Sequence, residues 1–213
     1  GITRIAVLQT DDSFGADSAA GADKGFTAAN LKPVLVQKFP REKPDFADLA
    51  SKIILSEAQA VLYIGSSGNV AQGVKALRIA GSSAQVVTLS NNASEGFIKL
   101  LGEHARGVVV TQVFPNERAV TYKLIKEAQD LAKSHGLGGV SPAMMEGYAA
   151  AKVLVEGLRR AGPKPTSSSL RDALESLNRF DLGGLEVSYS ANDHSGLEFA
   201  DLSIIGSDGR FRR

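Results

Sequence analysis

A doubly wound parallel α/β sheet is the fold class this sequence predicts, and three observations predict it. Short apolar runs recur at 5–9, 33–39, 60–64, 85–89 and 107–111, the first of them too short for most helices. Between these runs lie helix-compatible stretches entered through polar or Gly-rich turns, the alternation expected of βαβ units. The run AVLYI at 60–64 is continuous in apolar character, as a strand buried on both faces should be.

Taken in order, the first strand, IAVLQ, runs into Thr10, Asp11, Asp12, Ser13, Phe14 and Gly15, and then into a small-residue segment ending near Asn30. Ser13 is placed to cap the following helix. Gly15, Ala16, Ala19, Ala20, Gly21, Ala22 and Gly25 would let that helix lie close against a sheet. The second strand, 33–39, leads to a Pro-rich loop at 40–44, and Asp45 is a cap for a helix carrying Phe46, Leu49, Ile53 and Ile54 on one face. After the third strand come Gly65, Ser66, Ser67, Gly68 and Asn69, then a helix with Val70, Val74, Leu77 and Ile79 that Gly81 ends. The fourth strand is followed by a loop at 90–94 and a short helix at 95–101. From the fifth the chain passes through Gln112, Val113, Phe114, Pro115 and Asn116 to a helix over about 118–134. Each crossover should be right-handed.

Past Gly136 the rhythm breaks. Pro142 opens a long helix to about Arg160, and Ser167 to Ser169 cap another bearing Leu170, Leu174 and Leu177. Strand-like pieces follow at 185–189 and 197–205, and Ser207, Asp208 and Gly209 form a hairpin turn before Phe211. This places a domain boundary near 141, with 1–141 as one lobe and 142–213 belonging at least partly to a different unit.

Composition narrows the function classes. With a net charge of +1 there is no global electrostatic reason to expect nucleic acid or an anionic membrane as partner. Arg159, Arg160 and the arginines from 210 to 213 make only short clusters, read as helix-end and tail charge. Apolar runs fall far below the roughly 18 residues of a membrane span. The chain has no cysteine, so disulfides, thiol nucleophiles and Cys-ligated zinc are excluded. The opening residues Gly1, Ile2, Thr3 and Arg4 enter a strand at once and carry no signal peptide, which reads as a processed or truncated start.

In open α/β sheets ligands bind beyond the carboxyl ends of the strands, so the turns there are the candidate site. Gly65 to Gly68 offers backbone amides, two hydroxyls and a helix amino end to an anion such as a carboxylate, or is a plain turn; its place after a central strand favours the ligand loop. It lacks the GK[ST] ending of a nucleotide P-loop. Asp11 and Asp12 are either paired carboxylates for acid/base work or metal, or capping groups for the next helix, and capping is the better reading. His104, His135 and His194 are scattered without a second ligand at metal spacing. No Gly-x-Ser-x-Gly elbow is present. Tyr63 and Phe114 either contact ligand or simply pack. Small polar groups at the strand ends without a catalytic set indicate a binder, with no metal and no cofactor.

Arg4 to Gly15, Asp45 and Phe46 before a helix, 60–65 and 107–111 together resemble the second lobe of type I periplasmic solute-binding proteins, in particular the leucine/isoleucine/valine-binding group serving ABC transporters. Gly147 to Ala151 and 196–209 resemble that family's return through the first lobe and its closing strands. The resemblance implies two α/β lobes with a ligand in the cleft between them, a secreted periplasmic address and a membrane permease as partner. It also implies that this chain is a fragment, lobe two plus pieces completing lobe one, with C-terminal helices whose apolar faces drive self-association. By the same resemblance the ligand-binding residues are Asp12, Ser13, Phe14, Ser66, Ser67, Ser90, Asn91, Gln112 and Phe114. Phe14 falls where the family has a tyrosine. The acid that pairs with a ligand ammonium falls near Ser90, with Glu95 close enough to replace it; without a carboxylate a buried ammonium is costly, so an organic or aromatic acid or an amide is expected rather than a standard α-amino acid. Two rivals remain: a ligand-sensing domain of a receptor or transcription regulator with this fold, and an α/β enzyme using the same strand ends.

Overall fold

The computed structural model describes residues 1–213, which divide into two compact units, 1–111 with 202–213, and 112–201. The division falls at Thr111 and not near Ser141, because the chain leaves the sheet at the end of its fifth strand, before the helices whose change of rhythm marked the expected boundary.

The first unit holds β1 (Ile5–Thr10), α1 (Ser13–Ala28), β2 (Leu35–Phe39), α2 (Phe46–Leu55), β3 (Ala60–Ile64), α3 (Ser67–Ile79), β4 (Gln85–Thr88) and α4 (Glu95–Leu101), with β5 (Val109–Gln112) leading out. It closes with β9 (Asp201–Ile205) and β10 (Phe211–Arg212). The sheet order is β10-β9-β5-β4-β3-β1-β2, and β1 to β5 pair in parallel. The sheet is therefore the doubly wound one the alternation predicts, extended to seven strands by the antiparallel pair β9–β10. The hairpin turn at 207–209 is where the sequence places it. Where β9 joins, the Gly107 N–H donates to the Ile205 carbonyl and the Ile205 N–H donates to the Val108 carbonyl. Two residues thus oppose one, with Gly107 at φ 85, the left-handed conformation a glycine bulge requires.

Leu49, Ala50 and Ile53 of α2, Val70, Val74 and Leu77 of α3, and Phe97 and Leu101 of α4 pack on Ala6, Leu8, Val61, Tyr63, Val86, Val108 and Val110 in one core. No residue of α1 enters it. The chain moves outward from β1 to β2 and back across β1 to β3, so right-handed crossovers put α1 on the opposite face. The small residues of α1 do not bring it deep into the fold: only Gly15 is buried. Ser13 is not its cap. Asp12, at extended φ −153, takes that place and accepts the Gly15 N–H, while Ser13 is already helical.

The second unit holds α5 (Lys123–Ser134), α6 (Pro142–Ala161), α7 (Ser167–Glu175), β6 (Phe180–Asp181), β7 (Glu186–Ser190) and β8 (Asp193–Gly196), the strands forming their own antiparallel sheet. Its core gathers Leu124, Ile125, Met145, Ala149, Leu182 and Val187. The helix expected from 118 begins at Lys123, because the Asn116 side chain accepts the Arg118 N–H at 2.9 Å and holds the chain in a turn. Thr166, not Ser167 to Ser169, caps α7, in a reciprocal box with Ser169. Pro142 is the first residue of α6, as predicted, with Ser141 as its cap. Gly157 of α6 is buried against Leu170 and Leu174 of α7, where a Cβ would meet Leu174 Cδ2 at 2.7 Å. No helix of the chain is long and apolar enough to cross a membrane.

Candidate functional site

Four turns of the first unit leave the carboxyl ends of β1, β2, β3 and β4, and side chains sew them together. After β1, Asp12 is fully engaged. Its Oδ1 accepts the Gly15 N–H at 2.8 Å and the Thr10 hydroxyl at 3.0 Å, and its Oδ2 accepts Arg41 Nε at 2.8 Å and lies 2.6 Å from a terminal nitrogen of the same guanidinium. The Gly15 amide, then Arg41 and Thr10, hold its carboxyl below the usual carboxylate range. A carboxylate serving four donors is an organiser of the turn, not an acid or base, which is the capping reading of this residue. Asp11 pairs only with exposed Lys38 at 3.3 Å, a contact of little energy.

Arg41 also ties β2's turn to β3's, its carbonyl accepting Asn69 Nδ2 at 3.1 Å. Ser66 caps α3 by accepting the Asn69 N–H at 3.3 Å, and the Val70 N–H goes to the Ser66 carbonyl. The Ser67 and Gly68 amides are then the first-turn donors that the helix itself cannot use. With the Ser66 hydroxyl they form three donors at the positive end of a 13-residue helix.

Between β3 and β4 a relay runs inward. Ser67 Oγ donates to Asn92 Oδ1 at 2.8 Å, Asn92 Nδ2 donates to Thr88 Oγ1 at 2.8 Å, and Thr88 Oγ1 donates to the Tyr63 carbonyl at 2.8 Å. Asn91 Nδ2 donates to the Gly65 carbonyl at 3.2 Å.

Of the expected site residues, Asp12, Ser66, Ser67, Ser90 and Asn91 come together on this rim of the first unit. Ser13 and Phe14 stand in the first turn of α1, Ser13 exposed and Phe14 half-buried. In the second unit Gln112 is buried, and Phe114 packs against the apolar cluster. Glu95 is exposed in the first turn of α4. Tyr63 is fully buried, edge-on to Phe39 at 5.5 Å, and sits under Gly73 of α3, where any Cβ would overlap its hydroxyl; it packs.

Three organisers escaped the sequence reading: Arg41, Asn69 and Asn92. Arg41 lies in the Pro-rich loop, 29 positions from its partner, and no local pattern announces such a pair. For Asn92 a faint signal exists, since an amide in an Asn-Asn pair just after a buried strand is placed to satisfy the strand's end.

The chain matches the model of a family described as periplasmic binding protein over residues 1–201. Among solved structures it is similar to a substrate-binding periplasmic protein from Ralstonia solanacearum (29% identity, TM-score 0.83, covering 99% of this chain and 61% of that one). It is similar also to an extracellular ligand-binding receptor from Verminephrobacter eiseniae ef01-2 (26%, TM-score 0.82, 100% and 61%). A leucine binding protein from Thermotoga maritima MSB8, 16% identical with a TM-score of 0.84 over 100% of this chain and 60% of its own, shares the fold. The chain thus spans about three-fifths of the length of these structures. No curated protein matches it.

Proposed function

This chain belongs to the periplasmic binding protein family, and from that premise we propose that it is a solute-binding, non-catalytic component that holds a small organic acid or amide at the strand-end rim of its first unit and delivers it to the permease of an ABC transporter from the periplasm. One observation carries the ligand class: the two free amides of Ser67 and Gly68 and the hydroxyl of Ser66 converge at the amino end of α3. Donors at a helix amino end suit a carboxylate. By the resemblance the family's acid for a ligand ammonium falls near Ser90, with Glu95, exposed in the first turn of α4, the nearest carboxylate in sequence, and Asp12 is consumed by its own turn. A buried ammonium facing only hydroxyls and amides would be left without a counter-charge. The carboxylate end of a ligand is provided for and the ammonium end is not.

Calorimetry on the longest chain that the reading frame encodes tests this. Isocaproate, aromatic carboxylates and their amides are expected to bind more tightly than leucine, and to be recovered unchanged. Tight leucine binding that disappears in Ser90→Ala overturns the ligand class; chemical conversion of a bound acid overturns the non-catalytic reading.

A further inference from the structure

Two side-chain atoms are buried without a hydrogen-bond partner, Gln9 Oε1 and Tyr63 Oη. Each belongs to the last residue but one of its strand, β1 and β3, but they lie on opposite faces of the sheet. Tyr63 belongs to the core under α2, α3 and α4, as do Ala6 and Leu8 of β1. Val7 and Gln9 alternate with Ala6 and Leu8, so they face α1. The Tyr63 hydroxyl lies against Gly73 inside the closed core. Gln9 is 5% exposed, at a place where a parallel strand ordinarily carries an apolar residue. An amide oxygen buried there without a donor costs stability that a hydrocarbon side chain would not.

Topology gives Gln9 its setting. β1 lies between β3 and β2. The chain leaves β1 towards β2 through α1, and leaves β3 in the other direction, towards β4, through α3. These helices lie on opposite faces, so the turns after β1 and β3 part and open a crevice between the two strand ends, the place where doubly wound sheets bind their ligands. Gln9 is paired in register with Ile64, the last residue of β3, and so stands at the floor of that crevice. Beside it Ile64 is fully buried, and the first turn of α1 presses on the end of β1, a Cβ at Gly15 falling on the Thr10 carbonyl. The last torsion of a glutamine is broad, so the amide can turn towards the strand end without leaving its place.

We propose that Gln9 is a specificity residue, its amide oxygen accepting a hydrogen bond from a hydroxyl or amide N–H that the ligand carries within a few bonds of its carboxylate. The inference rests on the reading that the carboxylate sits at the amino end of α3. Ser66 and Ser67 follow Ile64 by two and three residues, and neighbouring strands lie about 4.8 Å apart, so the two contacts suit one small molecule. A neutral acceptor suits a neutral donor; an ammonium there would lack a counter-charge, Asp12 being engaged by its own turn. A ligand with the donor satisfies the oxygen. One without it leaves the oxygen buried and unpaired, which is how a polar group built into a site rejects an analogue.

Calorimetry on the longest chain that the reading frame encodes compares isocaproate, α-hydroxyisocaproate and α-methoxyisocaproate, which place no polar group, a donor and an acceptor alone on the same carbon. The hydroxy acid is expected to bind at least about tenfold more tightly than the other two. In Gln9→Met, close to glutamine in shape, that preference is expected to vanish with isocaproate bound no more weakly, while the thermal midpoint rises by roughly 2–6 °C as the buried amide is removed. Tyr63→Phe removes the other unpaired atom and is expected to raise the midpoint while keeping the preference. Equal binding of the three acids overturns the inference without any variant. So does a preference that survives Gln9→Met or is lost in Tyr63→Phe, and so does a midpoint that falls in Gln9→Met. Binding of none of the acids, or binding that Ser66→Gly leaves untouched, overturns the carboxylate reading and this inference with it.

Discussion

Ser67 Oγ donates to Asn92 Oδ1 across 25 positions of sequence, and Asn92, with no exposed surface, hands the bond on to Thr88 and the Gly65 carbonyl. The rim's central turn is thus anchored to the sheet through one buried amide. Asn92→Ala leaves the Thr88 hydroxyl and the Gly65 carbonyl short of a donor, a loss of about 1–3 kcal/mol for buried groups. Thermal unfolding is expected to fall by several degrees, at roughly 2–4 °C per kcal/mol for a chain of this size.

Ser66 has two roles that one substitution separates. Glycine is nearly as good a cap as serine, costing only a few tenths of a kcal/mol, but it has no hydroxyl to give a ligand. Ser66→Gly is therefore expected to leave the denaturant midpoint almost unchanged while weakening carboxylate binding by about tenfold, the worth of one good hydrogen bond. Equal binding by both proteins in calorimetry would place the ligand elsewhere.

Three glycines of α1 should respond in opposite directions. A Cβ on Gly15 would overlap the Thr10 carbonyl, so Gly15→Ala must displace the turn that Asp12 organises, at about 1–3 kcal/mol. Gly21 and Gly25 have nothing within 4 Å of a Cβ and lie in the helix interior, where alanine gains about 0.5–1 kcal/mol each. Urea titration of the three variants is expected to order them Gly15→Ala, parent, then Gly21→Ala and Gly25→Ala.

Acid should expose the worth of Glu156. Arg159 and Arg160 both donate to its carboxylate, at 2.7–2.8 Å, and hold it at about 2 against an ordinary value of 4.5. Between those values the unfolded chain binds the proton and the folded one does not, so stability falls as pH falls. The stability gap between parent and Glu156→Gln is expected to be full at neutral pH, to shrink below pH 4.5 and to vanish near pH 2, in denaturant midpoints taken across that range.

Much of this was legible in the sequence for a physical reason. The runs at 60–64 and 95–101 coincide with β3 and α4 because buried strands and short amphipathic helices are specified by their own residues. The cap Asp45 was local also. What could not be read was non-local: Arg41 reaching Asp12, Asn92 reaching Ser67, and the return of β9 to β5, whose partners are separated by 20 or more positions. The boundary at Thr111 escaped for the same cause, since a unit completed by residues 202–213 cannot be delimited by any one stretch.

That completion has a consequence for synthesis. Ile205 and Phe211 belong to the core of the first unit, yet the ribosome reaches them only after every residue from 112 to 201. Until then the outer edge of β5 has no neighbour, and its open backbone groups invite adventitious strands. The segment 1–111 must therefore wait, unsealed, while the whole intervening segment emerges, so it is the part that a chaperone would guard longest.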